Sequence, residues 1–458
     1  MMVSNSETRT SVSLRGCWIL SSTRTNLRAS TEVQCYAPLR GAIRCMFQPL
    51  GTASTRTHTM KRVLLIVATF FAVLVVPVRT TSAASKFKVL HAFGNGQDGA
   101  GTWGSLLLDK KGNVYGTTSG GCHYGYGTAF ELTPKSNGKW QESILHSFDR
   151  NGQDGYHSTA ALILDESGDL YGTTQLGGAY GYGTVFELTP GSGGWTETVI
   201  FSFDLTDGCC PSGGVVIGRG GSVFGAGGVA FKLTDQSDGW TENVLHRFNG
   251  KHGDGYGPYA APILDGRGNL FGTTEYGGVQ CGSSSCGTVY ELSPEADGKW
   301  KEHVLHRFHG RDGQFPGGAL IMDASGDLYG TTVNGGSYLG VVFKLTPEGN
   351  GRWRETVIYS FQSGTSGSDP GGGVVQDSAG NLYGTTIYGG SPNCDCGVVY
   401  KLSPKKNGKW KYTVLHTFVG SDGAQPDANL ILDDKGNLYG TAATGGQYGD
   451  GVVFEVTP

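Results

Sequence analysis

Short apolar segments of four kinds recur in a fixed order along the chain. One copy reads Ala161-Leu-Ile-Leu-Asp165, Asp169-Leu-Tyr-Gly-Thr-Thr174, Gly183-Thr-Val-Phe-Glu-Leu188 and Trp195-Thr-Glu-Thr-Val-Ile-Phe-Ser-Phe203. We call them a, b, c and d. They are rich in β-branched and aromatic residues and are bounded by Gly, Asn, Asp and Pro, which predicts strands. Outside the N-terminal leader no apolar period of 3.6 residues runs long enough for a helix. Asp-x-x-Gly-Asn or -Asp joins a to b, as in Asp109–Asn113 and Asp433–Asn437. The Asp side chain bonds backbone two residues on and Gly takes a positive φ, so each pair is predicted to be a hairpin. Leu-Thr-Pro or Leu-Ser-Pro, at Pro134, Pro190, Pro294, Pro347 and Pro404, is expected to stop strand c.

The head of strand b is the clearest marker. It falls at Tyr115, Tyr171, Phe224, Phe271, Tyr329, Tyr383 and Tyr439, spaced 56, 53, 47, 58, 54 and 56 residues apart. Such a period means one supersecondary unit stacked on copies of itself. Seven four-stranded antiparallel units predict an all-β, seven-bladed β-propeller. The chain ends support closure. The last copy stops at Pro458 with no strand d, while Phe87-Lys-Val-Leu-His-Ala-Phe93 is a strand d with no copy of its own. Pairing Phe87–Phe93 with Gly451–Thr457 removes both exposed edges.

The repeats resemble the GloVer tandem-repeat family of bacterial surface and secreted proteins. The resemblance rests on Gly-Asn-Leu-Tyr-Gly-Thr-Thr and Gly-Gly-x-x-Gly-x-Gly-Thr-Val-Phe-Glu-Leu-Thr-Pro, seen at 112–134 and 168–190, and covers 86–458. It implies export and brings no biochemical activity. Members often carry a C-terminal anchoring segment, from which this chain departs.

Residues 60–84 read as a secretory signal peptide. Met60-Lys61-Arg62 is basic, 63–78 is apolar, and Ser82-Ala83-Ala84 is small. The apolar run is short for a membrane span. Residues 1–59 are expected to be a spurious or disordered extension upstream of a true start at Met60, and 85–458 the propeller. Of 35 Lys and Arg, ten lie in residues 1–84, against two of 39 Asp and Glu, which leaves the remainder at −12. That balance disfavours nucleic acid and anionic membranes. No stable membrane insertion is expected after cleavage, and the closed ring is expected to be a monomer.

Candidate chemistry concentrates in the d–a and b–c loops, expected on one face. An Asp recurs in every d–a loop: Asp98, Asp154, Asp207, Asp254, Asp312, Asp369 and Asp422. A Ca2+ site is conceivable there, but one residue type at one place in each repeat is what turn chemistry produces. No cofactor and no metal is therefore expected. Tyr124, Tyr126, Tyr180 and Tyr182 stand in Gly-flanked b–c loops, and Tyr276 just before one. Exposed Tyr suits sugar rings or a protein partner. Copy three lacks the long b–c loop, and Cys209-Cys210 precedes it, so a notch near blades two to four is expected to hold a pocket. The ligand-binding candidates are Tyr180, Tyr182, Tyr124, Tyr126, Tyr276, Asp207 and Asp254. Cys281–Cys286 is the expected disulfide and Cys394–Cys396 a tighter one. The cysteines lack the paired spacing of a zinc site. The strand-d histidines give way to Phe201 and Tyr359 in two copies, which reads as space-filling. No G-x-S-x-G, H-E-x-x-H, P-loop or dinucleotide fingerprint stands in a usable context, so no catalytic residue is named.

Three functions compete: an exported non-enzymatic propeller binding an extracellular glycan or protein, a polysaccharide lyase or glycoside hydrolase using loop-face carboxylates, and a structural surface protein. N-terminal sequencing of the secreted chain is expected to begin just after Ala84. Recovery of residues 1–59 on the exported protein would end the Met60 reading.

Overall fold

The computed structural model describes residues 84–458 apart from Gln97 and Ser363. The expected extension at 1–59 and all but Ala84 of the expected signal peptide lie outside the described residues. The rest forms seven four-stranded antiparallel sheets, each in the order a–b–c–d. Residues just before strand a of all seven blades line one central cavity, so strand a is innermost. The last blade takes its outer strand from the start of the ring: Lys86–Ala92 pairs with Val452–Thr457, Lys86 opposite Thr457 and Phe87 opposite Val456.

Every position of Tyr-Gly-Thr-Thr has a physical reason. The Gly lies opposite an aromatic residue of strand c, as Gly116 opposite Phe130. That ring folds over the Gly, and a Cβ on Gly116 would stand 2.6 Å from Phe130 Cζ. Blades four and six keep the arrangement with Tyr290 over Gly272 and Tyr400 over Gly384. The first Thr reaches into the next blade. Thr117 donates to Ala160 O at 2.8 Å, Thr173 to Gly213 O at 2.9 Å, Thr331 to Gly372 O at 2.8 Å and Thr441 to Gly104 O at 3.1 Å. Thr273 and Thr385 do the same. Only blade three, with Ala226, lacks this hydroxyl. In blades one, two and four the second Thr shares a hydrogen bond with the Thr that opens strand c, as Thr118 with Thr128 at 3.0 Å.

Apolar packing runs between blades. The described residues contain seven buried clusters, each drawn from two neighbouring blades. At every junction the Phe ending strand d meets the strand-c aromatic of the next blade, with ring centroids 4.8 to 5.2 Å apart. The Trp opening strand d lies across the same junction on the Tyr or Phe of strand b, as Trp140 on Tyr439 and Trp240 on Tyr171. These Trp are half-buried and cover the edges of the shared clusters. A bulge in strand d, between the partners of Ala129 and Phe130 in blade one and repeated in every blade, comes just before the histidine position.

The proline expectation needs one correction. Strand c runs through Pro190 to Gly191 and through Pro347 to Gly349. Strand b has ended opposite Leu188, so the N–H that Pro190 lacks removes no ladder bond on that side.

Deleting residues 86–93 is expected to leave the Val452–Thr457 strand without a partner and to empty the Phe93 place against Phe130. The variant should aggregate or melt far below the parent. Unchanged thermal melting would contradict closure by this strand.

Candidate functional site

Two-residue ladders tie the d–a loops to the b–c loops, Gly99–Ala100 to Gly120–Gly121, Gly155–Tyr156 to Leu176–Gly177 and Gly255–Tyr256 to Tyr276–Gly277. The two sets of variable loops therefore share one face. The Asp of the d–a loop organises it from below. Asp98 Oδ1 accepts from the backbone N–H of Gly94 and Asn95 at 3.0 Å. Asp154, Asp207, Asp254, Asp312 and Asp422 each accept from one loop N–H at 2.7–2.9 Å. Asp98, Asp154, Asp254, Asp312 and Asp422 also hold the strand-d histidine, at 2.9–3.4 Å. Turn-making thus uses these carboxylates, including candidates Asp207 and Asp254. Asp369 does not belong to the ring. Counting back eleven residues from the a–b turn Asp377 reaches Ser366, and Asp369 stands three residues on, at φ +57°. His157, Cys210, Phe315 and Gln425 occupy the same left-handed position. Ser366 thus holds the ring position in this blade, and Asp369 is the next Asp along the sequence.

The tyrosine candidates are spread along the rim and do not converge. Tyr180 is 62% exposed and Tyr124 48%. Tyr124 overhangs an open depression with His146, Asp149, Asn151 and Asp154. Tyr126 is half-buried and packs on Tyr156, ring centroids 5.3 Å apart. Tyr182 offers its carbonyl to Cys210 N at 2.8 Å. Tyr276 meets Phe315 edge-on at 5.4 Å and lines a small depression with Tyr256 and Gln280. Blade three does turn back at once after Gly227, but Cys209 to Pro211 pack beneath it: Cys209 N donates to Gly227 O at 2.9 Å. A Cβ on Gly227 would lie 3.0 Å from Pro211. The structure pairs Cys281 with Cys286 and Cys394 with Cys396, Cα atoms 5.7 and 5.2 Å apart. Both pairs brace b–c loops.

The axial mouth is where unlike residues converge. Its cavity holds about 380 Å³. One position, five residues after the loop Asp, contributes Trp103, Thr159, Ser212, Tyr259, Gly317, Gly371 and Asp427 in the seven blades. Blades one, two and four bring Trp103, Gln175 and Tyr259, and blade seven brings Asp427, while blades five and six present only glycine at that position. Gly371 lets Asp427 lie close: a Cβ there would force the Asp427 carboxyl to move. Burial pushes the Asp427 carboxyl up to about 6, and the Glu275 carboxylate adds to the shift. Asp427 makes no hydrogen bond among the described residues. Gln175 Nε2 donates to Thr159 Oγ1 at 2.9 Å. Glu275 also raises the Tyr276 hydroxyl, to about 12, chiefly through a hydrogen bond. Two flat rings, an amide and an unpaired carboxyl thus face a cavity whose far wall is bare backbone. Such a set holds a polar ligand with apolar faces. Sequence reasoning missed it. Aligning the copies on the loop Asp would have shown one column with six residue types in seven blades.

The model of the Gloeobacter/Verrucomicrobia repeat matches residues 76–278 and 339–458. The chain belongs to this repeat family. No curated protein sequence matches it. In fold it is similar to the extracellular domain of a protein assigned as a hybrid two component system, BT4673, from B. thetaiotaomicron. That match has 12% identity and a TM-score of 0.50, and covers 81% of this chain and 39% of the other. The repeats thus span well under half of that relative's length. A protein assigned as a 6-phosphogluconolactonase from Bacteroides uniformis aligns at 13% identity and a TM-score of 0.45, over 74% of this chain and 89% of its own. At such identities the likeness is one of fold.

Proposed function

We propose that this repeat protein is an exported, non-enzymatic propeller that binds an uncharged extracellular glycan at the axial mouth of its d–a and b–c face. The observation that carries the reading is Asp427, a carboxyl without a protein partner in a cavity that also holds Trp103 and Tyr259. Aromatic rings stack on the apolar faces of sugars, and carboxylate and amide oxygens accept from their hydroxyls. Glu275 and Asp427 make the mouth acidic, which disfavours anionic saccharides and nucleic acid. Braced loops, two disulfide pairs and the signal-like segment at 60–84 support an extracellular or periplasmic setting. The rim tyrosines, above all Tyr180 and Tyr182, extend the surface a longer glycan would cover.

One observation favours hydrolysis as a second reading. A carboxyl near 6 with a second carboxylate close by suits a general acid. Release of reducing ends from a bound glycan, abolished by Asp427→Asn, would replace the binding reading.

A glycan array probed with residues 85–458, followed by calorimetry on the strongest neutral hit, tests the proposal. Trp103→Ala and Asp427→Asn are each expected to weaken binding about tenfold or more, roughly 1–3 kcal/mol, with melting unchanged. The proposal fails if no neutral glycan binds. It also fails if binding survives both changes and is lost only in the Tyr180→Ala, Tyr182→Ala double variant.

A further inference from the structure

Strand d carries a Glu two residues after its Trp, in five of six copies: Glu142, Glu197, Glu242, Glu302 and Glu355. Each lies at a blade junction and has one buried carboxylate oxygen, Oε1, with no hydrogen-bond partner. Three of them meet the His–Asp pair of the preceding blade. His146 Nε2 stands 2.9 Å from Asp154 Oδ2, and Glu197 closes the trio. His91 stands 3.1 Å from Asp98 and 3.7 Å from Glu142. His246 stands 3.4 Å from Asp254 and 3.9 Å from Glu302. In each trio one nitrogen and two oxygens lie within 4.8 Å of one another. Asp154 is only 7% exposed, yet its Oδ1 also lacks a partner.

Each trio holds two carboxyl groups against one imidazole, largely out of water. A buried cluster short of positive charge takes up either a proton or a metal ion. Glu197 Oε1 and Asp154 Oδ1 are both buried with no hydrogen-bond donor. A metal ion at about 2.0–2.2 Å from each donor fits atoms spaced this way.

The junction of His306, Asp312 and Glu355 keeps the same residue types, but there His309 closes on His306 and Asp312; the remaining three serve as internal controls. Where Phe201 replaces the histidine the trio is broken. Tyr359 instead stacks on Tyr412 at 4.4 Å, and His416 on Phe87 at 3.6 Å. A Glu is thus exchanged for an aromatic residue only where ring stacking replaces the polar trio. The described histidines are not buried completely, and His146 and Asp154 line the open depression under Tyr124, which gives an ion and its waters a way in.

We propose that the junctions built by His91–Asp98–Glu142, His146–Asp154–Glu197 and His246–Asp254–Glu302 each bind one divalent first-row transition-metal ion of the zinc or manganese type. One imidazole nitrogen and two carboxylates, with water completing the shell, select such ions over Ca2+, which takes an all-oxygen shell. The ion would pin two neighbouring blades at their outer edge, away from the axial mouth.

The test is equilibrium dialysis of the chelator-stripped chain against Zn2+ and against Ca2+, with bound metal measured by mass spectrometry. Zinc is expected at three ions per chain at these trios, any fourth being held by the separate group His306, His309 and Asp312, with a raised melting temperature, and Ca2+ at none. Glu197→Gln and His146→Phe, which copies the residue natural to blade two, should each remove one ion. Glu242→Gln, at the junction with Phe201, should remove none. A wild-type chain that takes up no zinc, equal uptake of Ca2+, or full uptake by both Glu197→Gln and His146→Phe would overturn the proposal and leave a proton as the only occupant.

Discussion

The hydroxyl that crosses from one blade to the next governs this fold. In six blades the first Thr of Tyr-Gly-Thr-Thr donates to a carbonyl just before strand a of the neighbour. That carbonyl is buried near the axis, where water cannot substitute for the donor. Outside this contact, the Phe ending strand d packs on the next blade's strand c, and Trp lies over strand b. Every apolar cluster is shared, so no blade has a core of its own. A chain built this way is stable only when the ring closes, and closure needs the 86–92 strand to fill the last blade.

The scaffold was legible because it is repeated chemistry. Period, Asp-x-x-Gly-Asn turns and the surplus strand at 87–93 each have a local cause that leaves the same residues in the same order. The Gly under Phe130 and the Thr that reaches Ala160 were visible as letters, but their reasons were not, because both partners lie far along the chain. Asp369 misled for a related cause: a local Asp-Pro looks like a turn, whereas the ring position is set by distance from strand a. The histidines were read as packing because Phe201 and Tyr359 replace them. That inference held for the stacked junctions. It overlooked Glu142, Glu197 and Glu302, which belong to the neighbouring blade and pair with a histidine more than fifty residues away.

Function in such a ring has to sit where the repeat is free to vary. The residues before strand a are held by backbone contacts, so their side chains can differ in every blade without cost to the fold. That freedom gives Trp103, Tyr259 and Asp427 on one part of the mouth and glycine on another. The rim loops vary too, but they carry their tyrosines in separate blades, and two are already braced by disulfides. An asymmetric cavity on a symmetric frame is what a ligand needs, and the Thr contacts just below it keep the frame rigid.

Thermal unfolding of Thr331→Val tests that frame most directly. The substitution keeps the shape of the side chain and removes the donor to Gly372 O. An unpaired buried carbonyl costs about 1–3 kcal/mol, or roughly 2–5 °C for a ring of this size. Thr331→Ser, which keeps the hydroxyl, is expected to recover most of that loss. A Thr331→Val chain that melts with the parent would show that the blades are held by apolar packing alone, and that the hydroxyl is incidental.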